Sequence, residues 1–267
     1  MRKPMTADEL KGAFAALPPM DPVEPAHNWR FWAWDLRKNI EDKDPTEFLT
    51  WQGVVTTMFV GNAPYIAQEL EALPRQYYPH LEDPGFGKPQ IYQADGVESS
   101  GNLIHQLYHI HQAKLQMPEL DTIIEIGGGY GMMALICHRL GFRGRYIIYD
   151  LPEFSLLQQY YLSNAGVEGV EFKTQIDETI AADLLIGLYS LTEMPLYARE
   201  AIIDLCPATR YLLGYMPEWG GFDNRGWVTE LMKRKIKYIW HGWNVAHLPS
   251  CWYLVGWQRA PKKELSD

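Results

Sequence analysis

One stretch limits the fold more than any other: Asp121-Thr-Ile-Ile-Glu-Ile-Gly-Gly-Gly-Tyr-Gly-Met-Met-Ala134. Thr122 to Ile126 is a short apolar run rich in β-branched residues, the composition of a strand buried on both faces. Gly127, Gly128, Gly129 and Gly131 then let the backbone turn sharply and lie against a ligand. Met132 to Leu140 has helical character, and a helix start presents unpaired N–H groups. Further on, Tyr146-Ile-Ile-Tyr-Asp150 is a second strand closed by an acid, placed where a carboxylate can hold both hydroxyls of a ribose.

Two nucleotide ligands suit that outline. A shifted dinucleotide motif is present as Gly129-x-Gly131-x-x-Ala134. Glu125 speaks against it, because in that register a carboxylate would sit near a pyrophosphate. S-adenosylmethionine carries a sulfonium and an ammonium instead of phosphate, and an acid at Glu125 attracts both. A glycine turn with no ligand is the plain alternative, and the joint occurrence of Glu125, the glycines and Asp150 weighs against it.

The chain has 267 residues, enough for one large domain or a core with an appendage. A formal net charge of −9, with one basic run at Lys233-Arg-Lys235-x-Lys237, disfavours a nucleic-acid partner, since phosphate neutralisation supplies most non-specific affinity. Three cysteines without metal-site spacing fit a reducing cytoplasm, and neither a signal core nor a membrane-spanning run is visible. With 10 Trp and 16 Tyr the chain is rich in rings that can stack on sugar faces or fill a core.

Residues 1–95 differ from the rest. Recurrent prolines cut them into short helical pieces: Ala7 to Leu17 capped by Thr6, Asn28 to Asn39, Thr46 to about Val60 with Thr46 as cap, and Ala63 to Leu73. No alternation marks a strand there, and the segment is expected to be a helical cap or lid, or a seal for the core or for a homo-oligomer contact. Residues 81–100 read as a loop. A helix follows to Gln112, with His105 and His109 on one face. Such a pair can bind a metal, but no nearby carboxylate or cysteine completes a set, so no metal is expected. From 119 to 260 strands and helices alternate. Strands are expected at 121–126, 145–149, 170–174, 183–188, 211–215, 238–243 and 251–259, the last two as an antiparallel hairpin. The fold class is therefore α/β, a Rossmann-like doubly wound seven-stranded sheet whose last strand is antiparallel. Residues 261–267 read as a frayed tail.

That order, with Glu125-Ile-Gly-Gly-Gly-Tyr-Gly131 and Asp150, resembles the class I S-adenosylmethionine-dependent methyltransferases over roughly residues 100 to 260. A narrower likeness is to sugar O-methyltransferases. It is carried by Asn102-Leu-Ile-His-Gln-Leu-Tyr108, the 125–131 motif, Tyr149-Asp-Leu-Pro-Glu153 and Ser190-Leu-Thr-Glu-Met194. The resemblance implies that Glu125, Gly127, Gly129 and Tyr130 surround the methionine part of S-adenosyl-L-methionine. Asp150 and Leu151 would hold the ribose and the adenine edge, Gln175 and Ile176 would flank the adenine, and Ser190 would lie near the sulfonium.

Methyl transfer to oxygen is an in-line displacement with a good neutral leaving group, so the enzyme must align the acceptor and remove its proton. Glu193, just past the fourth strand of the alternating half, is the first candidate base, with His241, His109 and His105 as rivals. Glu193 has an ordinary alternative as an acid near a helix start. His105, Trp219, Asp223 and Asn224 could line a small, sugar-containing acceptor, or the last three could simply form a surface loop. Three other functions compete: a non-catalytic binding subunit of the same fold, a nucleotide or nucleic-acid methyltransferase, and a nicotinamide-dependent oxidoreductase.

Overall fold

The computed structural model describes residues 3–22, 29–58, 61, 63–94 and 96–259. Asn28 and Val60, expected as helix ends, and the tail from 260 lie outside them. In chain order the elements are α1 (Ala7–Ala15), α2 (Trp29–Asp42), α3 (Gln52–Thr57), α4 (Ile66–Ala72), β1 (Ile91–Ala94), β2 (Val97–Ser100) and α5 (Gly101–Gln112). Then come β3 (Thr122–Ile126), α6 (Met132–Arg139), β4 (Arg145–Tyr149), α7 (Pro152–Asn164), β5 (Val170–Lys173), β6 (Ala182–Leu188), α8 (Leu196–Leu205) and β7 (Ala208–Tyr215). The chain ends with β8 (Glu218–Trp219), β9 (Phe222–Asp223), α9 (Asn224–Arg234), β10 (Tyr238–Val245) and β11 (Leu248–Gln258). Seven strands form one sheet in the order β10-β11-β7-β6-β3-β4-β5. β11 runs antiparallel to both of its neighbours, whereas β7 with β6, β6 with β3, and β4 with β5 are parallel. This is the Rossmann-like α/β sheet expected from the sequence, antiparallel last strand included.

The chain divides into two compact units, Met1–Asp121 with Gly127–Gln175, and Thr122–Ile126 with Ile176–Asp267. The segment expected as a cap thus falls inside the first unit, beside the glycine-rich turn and β4.

In the first unit α1 starts as expected. The Thr6 hydroxyl accepts from Glu9 N, and the Glu9 carboxylate accepts from Thr6 N at 2.7 Å, a reciprocal capping box. The helix expected from Thr46 is broken in two. Asp44, not Thr46, is the cap: its carboxylate accepts from Thr46 N at 2.9 Å and opens a 3-10 segment, Pro45–Thr50. Trp51 is extended (φ −74°, ψ 134°), and α3 begins after it. The expected loop 81–100 holds the β1–β2 hairpin, so the absence of strands before 95 does not hold. Gly96, just before Val97 where the hairpin pairs Ala94 with Val97, has φ 76°, the left-handed backbone that such a turn favours.

Buried polar pairs join distant elements of this unit. Arg37 on α2 donates from Nε to Glu153 on α7 at 2.7 Å, and Glu153 is 2% exposed. His105 on α5 lies with Nδ1 2.8 Å from Oε1 and 3.0 Å from Oε2 of Glu69 on α4. The carboxylate accepts, so Nδ1 is the donor. Glu69 is the carboxylate that the sequence did not place beside the histidine pair; it is completely buried. In the second unit the buried guanidinium of Arg199 on α8 donates to Met194 O (2.7 Å), to Thr192 O and to Asn224 Oδ1 (2.6 Å). It also stacks on the rings of Phe222 and Trp227. That one side chain fastens the turn after β6 to the start of α9.

Replacing Glu69 with leucine leaves His105 Nδ1–H buried without an acceptor. The expected cost is about 1–3 kcal/mol, against a smaller loss for Glu69→Gln, which keeps an acceptor oxygen. Urea unfolding of the three proteins checks this, and equal midpoints for wild type and Glu69→Leu would refute it.

Candidate active site

The glycine-rich turn is built by the first unit. Gly127, Gly129 and Gly131 have φ of 70°, 57° and 104°, all left-handed. Gly127 N donates to Tyr149 O at 2.9 Å, which fixes the turn to the end of β4, and Gly131 N donates to Gly128 O at 2.8 Å. A β-carbon on Gly131 would stand 2.9 Å from Leu162 Cγ on α7, so the turn also packs where no side chain fits. Over the outer face, a β-carbon on Gly129 would meet Met58 of the N-terminal segment at 3.8 Å.

Asp150 closes β4. Its Oδ1 accepts from Leu151 N at 2.8 Å, its Oδ2 accepts from Gln158 Nε2 at 2.7 Å, and Gly128 N also donates to the carboxylate. Desolvation nonetheless dominates, and with the charge of Glu153 nearby it pushes the Asp150 carboxyl up to about 7. Leu151, the next residue, is exposed. Gln175, on the loop after β5, is exposed as well.

Tyr130 was expected around the methionine part of a cofactor. Its side chain turns away from solvent and is 1% exposed. The hydroxyl accepts from Asn102 Nδ2 at 2.7 Å, and the ring packs edge-on against Phe48 and Tyr161. Burial raises the phenol far above its ordinary value. Only the Tyr130 backbone is left to meet a ligand. His109 is equally sealed, at 1% exposure, with its ring 4.2 Å from that of His105. Neither histidine offers a surface to an acceptor.

In the second unit Glu125 is a buried acid near the end of β3, and Ile176 on the loop after β5 is half-buried. Ser190 donates from Oγ to Ile126 O. Glu193 is half-buried and ends the 3-10 turn Ser190–Glu193 that leaves the tip of β6. Before that turn stands Tyr189, with φ 67° and ψ −45°. A positive φ on so bulky a residue costs about 1–3 kcal/mol and is found mainly at functional sites. Tyr189 N donates to Gly214 O at 2.8 Å, and its carbonyl accepts from Thr192 N and Thr192 Oγ1, which holds the strained geometry. No sequence signal marked Tyr189.

The remaining candidates are scattered. His241 is exposed, its ring against Trp257, and it pairs with Val255 in the middle of β10 instead of at a strand end. Three strand spacings separate β10 from β6 in the sheet order, about 14 Å. Asp223 is a helix cap, accepting from Gly226 N at 2.8 Å. Asn224 is completely buried, its Oδ1 accepting from Arg199 and its Nδ2 donating to Met216 O. Trp219 is half-buried in the small β8–β9 hairpin. Asn224 thus shapes the loop after β7 from within, and Trp219 is the member of the group with ring surface to offer.

No family model matches the chain, and no curated protein matches it. Among solved structures, an O-methyltransferase family protein from Burkholderia thailandensis aligns over 74% of this chain and 93% of its own at 10% identity, with a TM-score of 0.44. Magnesium protoporphyrin IX methyltransferase from Synechocystis PCC 6803, solved with S-adenosylmethionine, aligns over 58% of this chain and 80% of its own at 15% identity, with a TM-score of 0.46. TM-scores below 0.5 are too low for these likenesses to bear on activity.

Gly131→Ala brings both left-handed strain and a clash with Leu162. A loss of about 2 kcal/mol or more is expected, the strain alone being worth 1–2 kcal/mol. A thermal melt unchanged from wild type would show that the turn can relax without cost.

Proposed function

We propose that this chain is an S-adenosyl-L-methionine-dependent O-methyltransferase acting on a hydroxyl of a sugar, a sugar nucleotide or a related small molecule. The observation that carries the reading is the pairing of a left-handed glycine turn with a carboxylate at the end of β4 that is already bonded to the turn's own backbone. In an α/β sheet, ligands bind beyond the carboxyl ends of the strands, and a carboxylate at that position suits a ribose diol. Glu125, an acid near the end of β3, suits a cationic ligand and opposes a pyrophosphate, which favours S-adenosylmethionine over a dinucleotide. The residues fit the cofactor, which when bound supplies an electrophilic methyl group.

The chain's own part is to hold the donor, align the acceptor and take its proton. Asp150 and the Gly127, Gly129 and Tyr130 backbone are assigned to the nucleoside and methionine ends, with Leu151, Gln175 and Ile176 beside the adenine. Ser190 positions the end of β3 through its bond to Ile126 O. Glu193 is assigned as the base, because it follows the strained tip of β6 and because His105 and His109 are sealed while His241 lies mid-strand. We assign residues 1–95 to a cap resting on the turn through Met58. A small-molecule acceptor agrees with the acidic chain and with its one basic run, in which Lys233 is paired with Glu230 and Arg234 with Glu200. Among the described residues no helix is long and apolar enough to cross a membrane. The sugar itself rests on the resemblance of the four motifs.

Calorimetry should show binding of S-adenosylhomocysteine, with NAD failing to compete. Transfer of tritiated methyl to a panel of nucleotide sugars, free glycans and nucleic acids should label a sugar. Tight NAD binding without S-adenosylhomocysteine binding would overturn the reading. The pH dependence follows from Asp150. Ribose hydroxyls donate to the ionised carboxylate, whereas the ligand-free protein holds the proton up to about pH 7. Affinity should therefore rise as pH increases through 7, and Asp150→Asn should bind weakly and without that dependence. Glu193→Gln should lower turnover by roughly a hundredfold with little change in cofactor affinity; full activity in this variant would remove Glu193 from the mechanism.

A further inference from the structure

Gln158 was not singled out by any sequence motif, yet it is a completely buried polar side chain lying against the turn. It projects from α7, which begins immediately after Asp150 and Leu151. Its Nε2 makes two bonds at once, donating to Gly129 O at 3.0 Å and to Asp150 Oδ2 at 2.7 Å. Both partners are acceptors, so the orientation of the amide is fixed: an –NH2 has two hydrogens to give, and the carbonyl has none. Oε1 is consequently turned elsewhere, and it is buried without a hydrogen-bond partner among the described residues. A glutamine in an apolar setting that leaves its own oxygen unpaired is a costly choice for packing alone.

The local packing shows what that choice secures. A β-carbon on Gly128 would come within 2.8 Å of Ile148 Cγ2 and 3.2 Å of Gln158 Nε2. The amide therefore sits directly under the turn, in the space that the missing side chain leaves. Helix α7 is itself held in place: Glu153 in its first turn is paired with Arg37, Phe154 packs edge-on against Trp29, and the Ser163 hydroxyl near its end accepts from Met5 N. A rigid helix thus presents one amide to two groups on separate segments, the carbonyl of the turn and the carboxylate of the acid.

We propose that Gln158 is a positioning residue of the nucleoside site, setting the rotamer of Asp150 and the curvature of the turn together so that the carboxylate meets a ribose diol. This rests on the reading of the chain as an S-adenosylmethionine-binding protein. Gln158 acts through Asp150, and it does so as a donor. It offsets the two influences that hold the Asp150 proton on, desolvation and the facing charge of Glu153 from α7, in concert with the N–H groups of Leu151 and Gly128. Losing that donor makes ionisation of Asp150 harder, and the ionised form is the one that accepts from a diol.

The test is calorimetric titration of S-adenosylhomocysteine into the full chain at a series of pH values from about 5.5 to 8.5. Gln158→Met keeps the volume and removes both hydrogen bonds. Gln158→Glu keeps the shape and replaces the donor with an acceptor, and serves if the methionine variant does not fold. Affinity at pH 7 is expected to fall about tenfold, the scale of one lost hydrogen bond to a charged group. The pH at which affinity is half-developed should move upward in both variants, and further for Gln158→Glu because its charge faces Asp150. In an Asp150→Asn background Gln158→Met, which adds no titratable group, should leave no pH midpoint to move. A midpoint identical to wild type in both variants would overturn the assignment, since a purely packing role lowers affinity without moving a titration. Failure of the wild-type chain to bind S-adenosylhomocysteine would instead overturn the underlying reading.

Discussion

The backbone between residues 127 and 131 has to run through three left-handed conformations while its inner face lies against Ile148, Leu162 and Gln158. Those two demands, handedness and lack of space, act on the same few residues, and only glycine meets both at Gly131. Much else in the first unit is arranged to hold this turn. Gly127 N is tied to the end of β4, Gln158 to the carbonyl of Gly129, and the Tyr130 hydroxyl to Asn102 on α5. Phe48 and Tyr161 pack edge-on against Tyr130, the residue that the turn sends inward, and Tyr160 and Phe86 continue the group behind them. On the function proposed above, Asp150 needs such a foundation, because a carboxylate displaced by an ångström would lose the geometry of its bonds to a diol.

The parts legible in the sequence were those encoded by neighbours. Strand and helix periodicity over 119–260 marked the seven strands to within a few residues, because most carry an apolar or aromatic run bounded by turn residues. The tight glycine turn and the acid closing β4 were legible for the same reason, their positions being carried by spacing along the chain. The N-terminal half was harder. Its strands at 91–94 and 97–100 are short and lie in a stretch whose turn-rich composition reads as a loop. The break at Trp51 had no local marker, since tryptophan is acceptable in a helix and only its burial in the extended form reveals the stop.

The site candidates whose side chains lie buried share one cause. Tyr130 and Asn224 are each buried with a partner supplied from elsewhere, Asn102 for Tyr130 and Arg199 for Asn224, and His109 is sealed beside His105, which is itself bonded to the distant Glu69. The partner decides whether a polar side chain is a tool or a fastening, and partners separated by many residues cannot be read from spacing. Glu69 and His105 stand 36 apart, Arg37 and Glu153 116 apart. Tyr189 is illegible for a different reason. Its significance lies in a backbone angle that its identity argues against, so a sequence reading steers away from it.

The position of residues 1–95 has a mechanical consequence. They fall in the same compact unit as the turn, Asp150 and α7, and the bonds that join them to it are buried or half-buried. Arg37 and Trp29 fix the first turn of α7, Met5 and Asn164 tie its end, and Phe48 closes the group around Tyr130. A segment attached only as a lid would make contacts that open and close at low cost, drawn from the weakly held end of the structure. These contacts instead replace packing that a glycine-rich turn cannot provide for itself, having no side chains with which to build a core. The rings of Phe48, Phe86, Tyr160 and Tyr161 then have a structural role beside the turn. Large rings are the economical way to fill the space around a backbone that must remain bare.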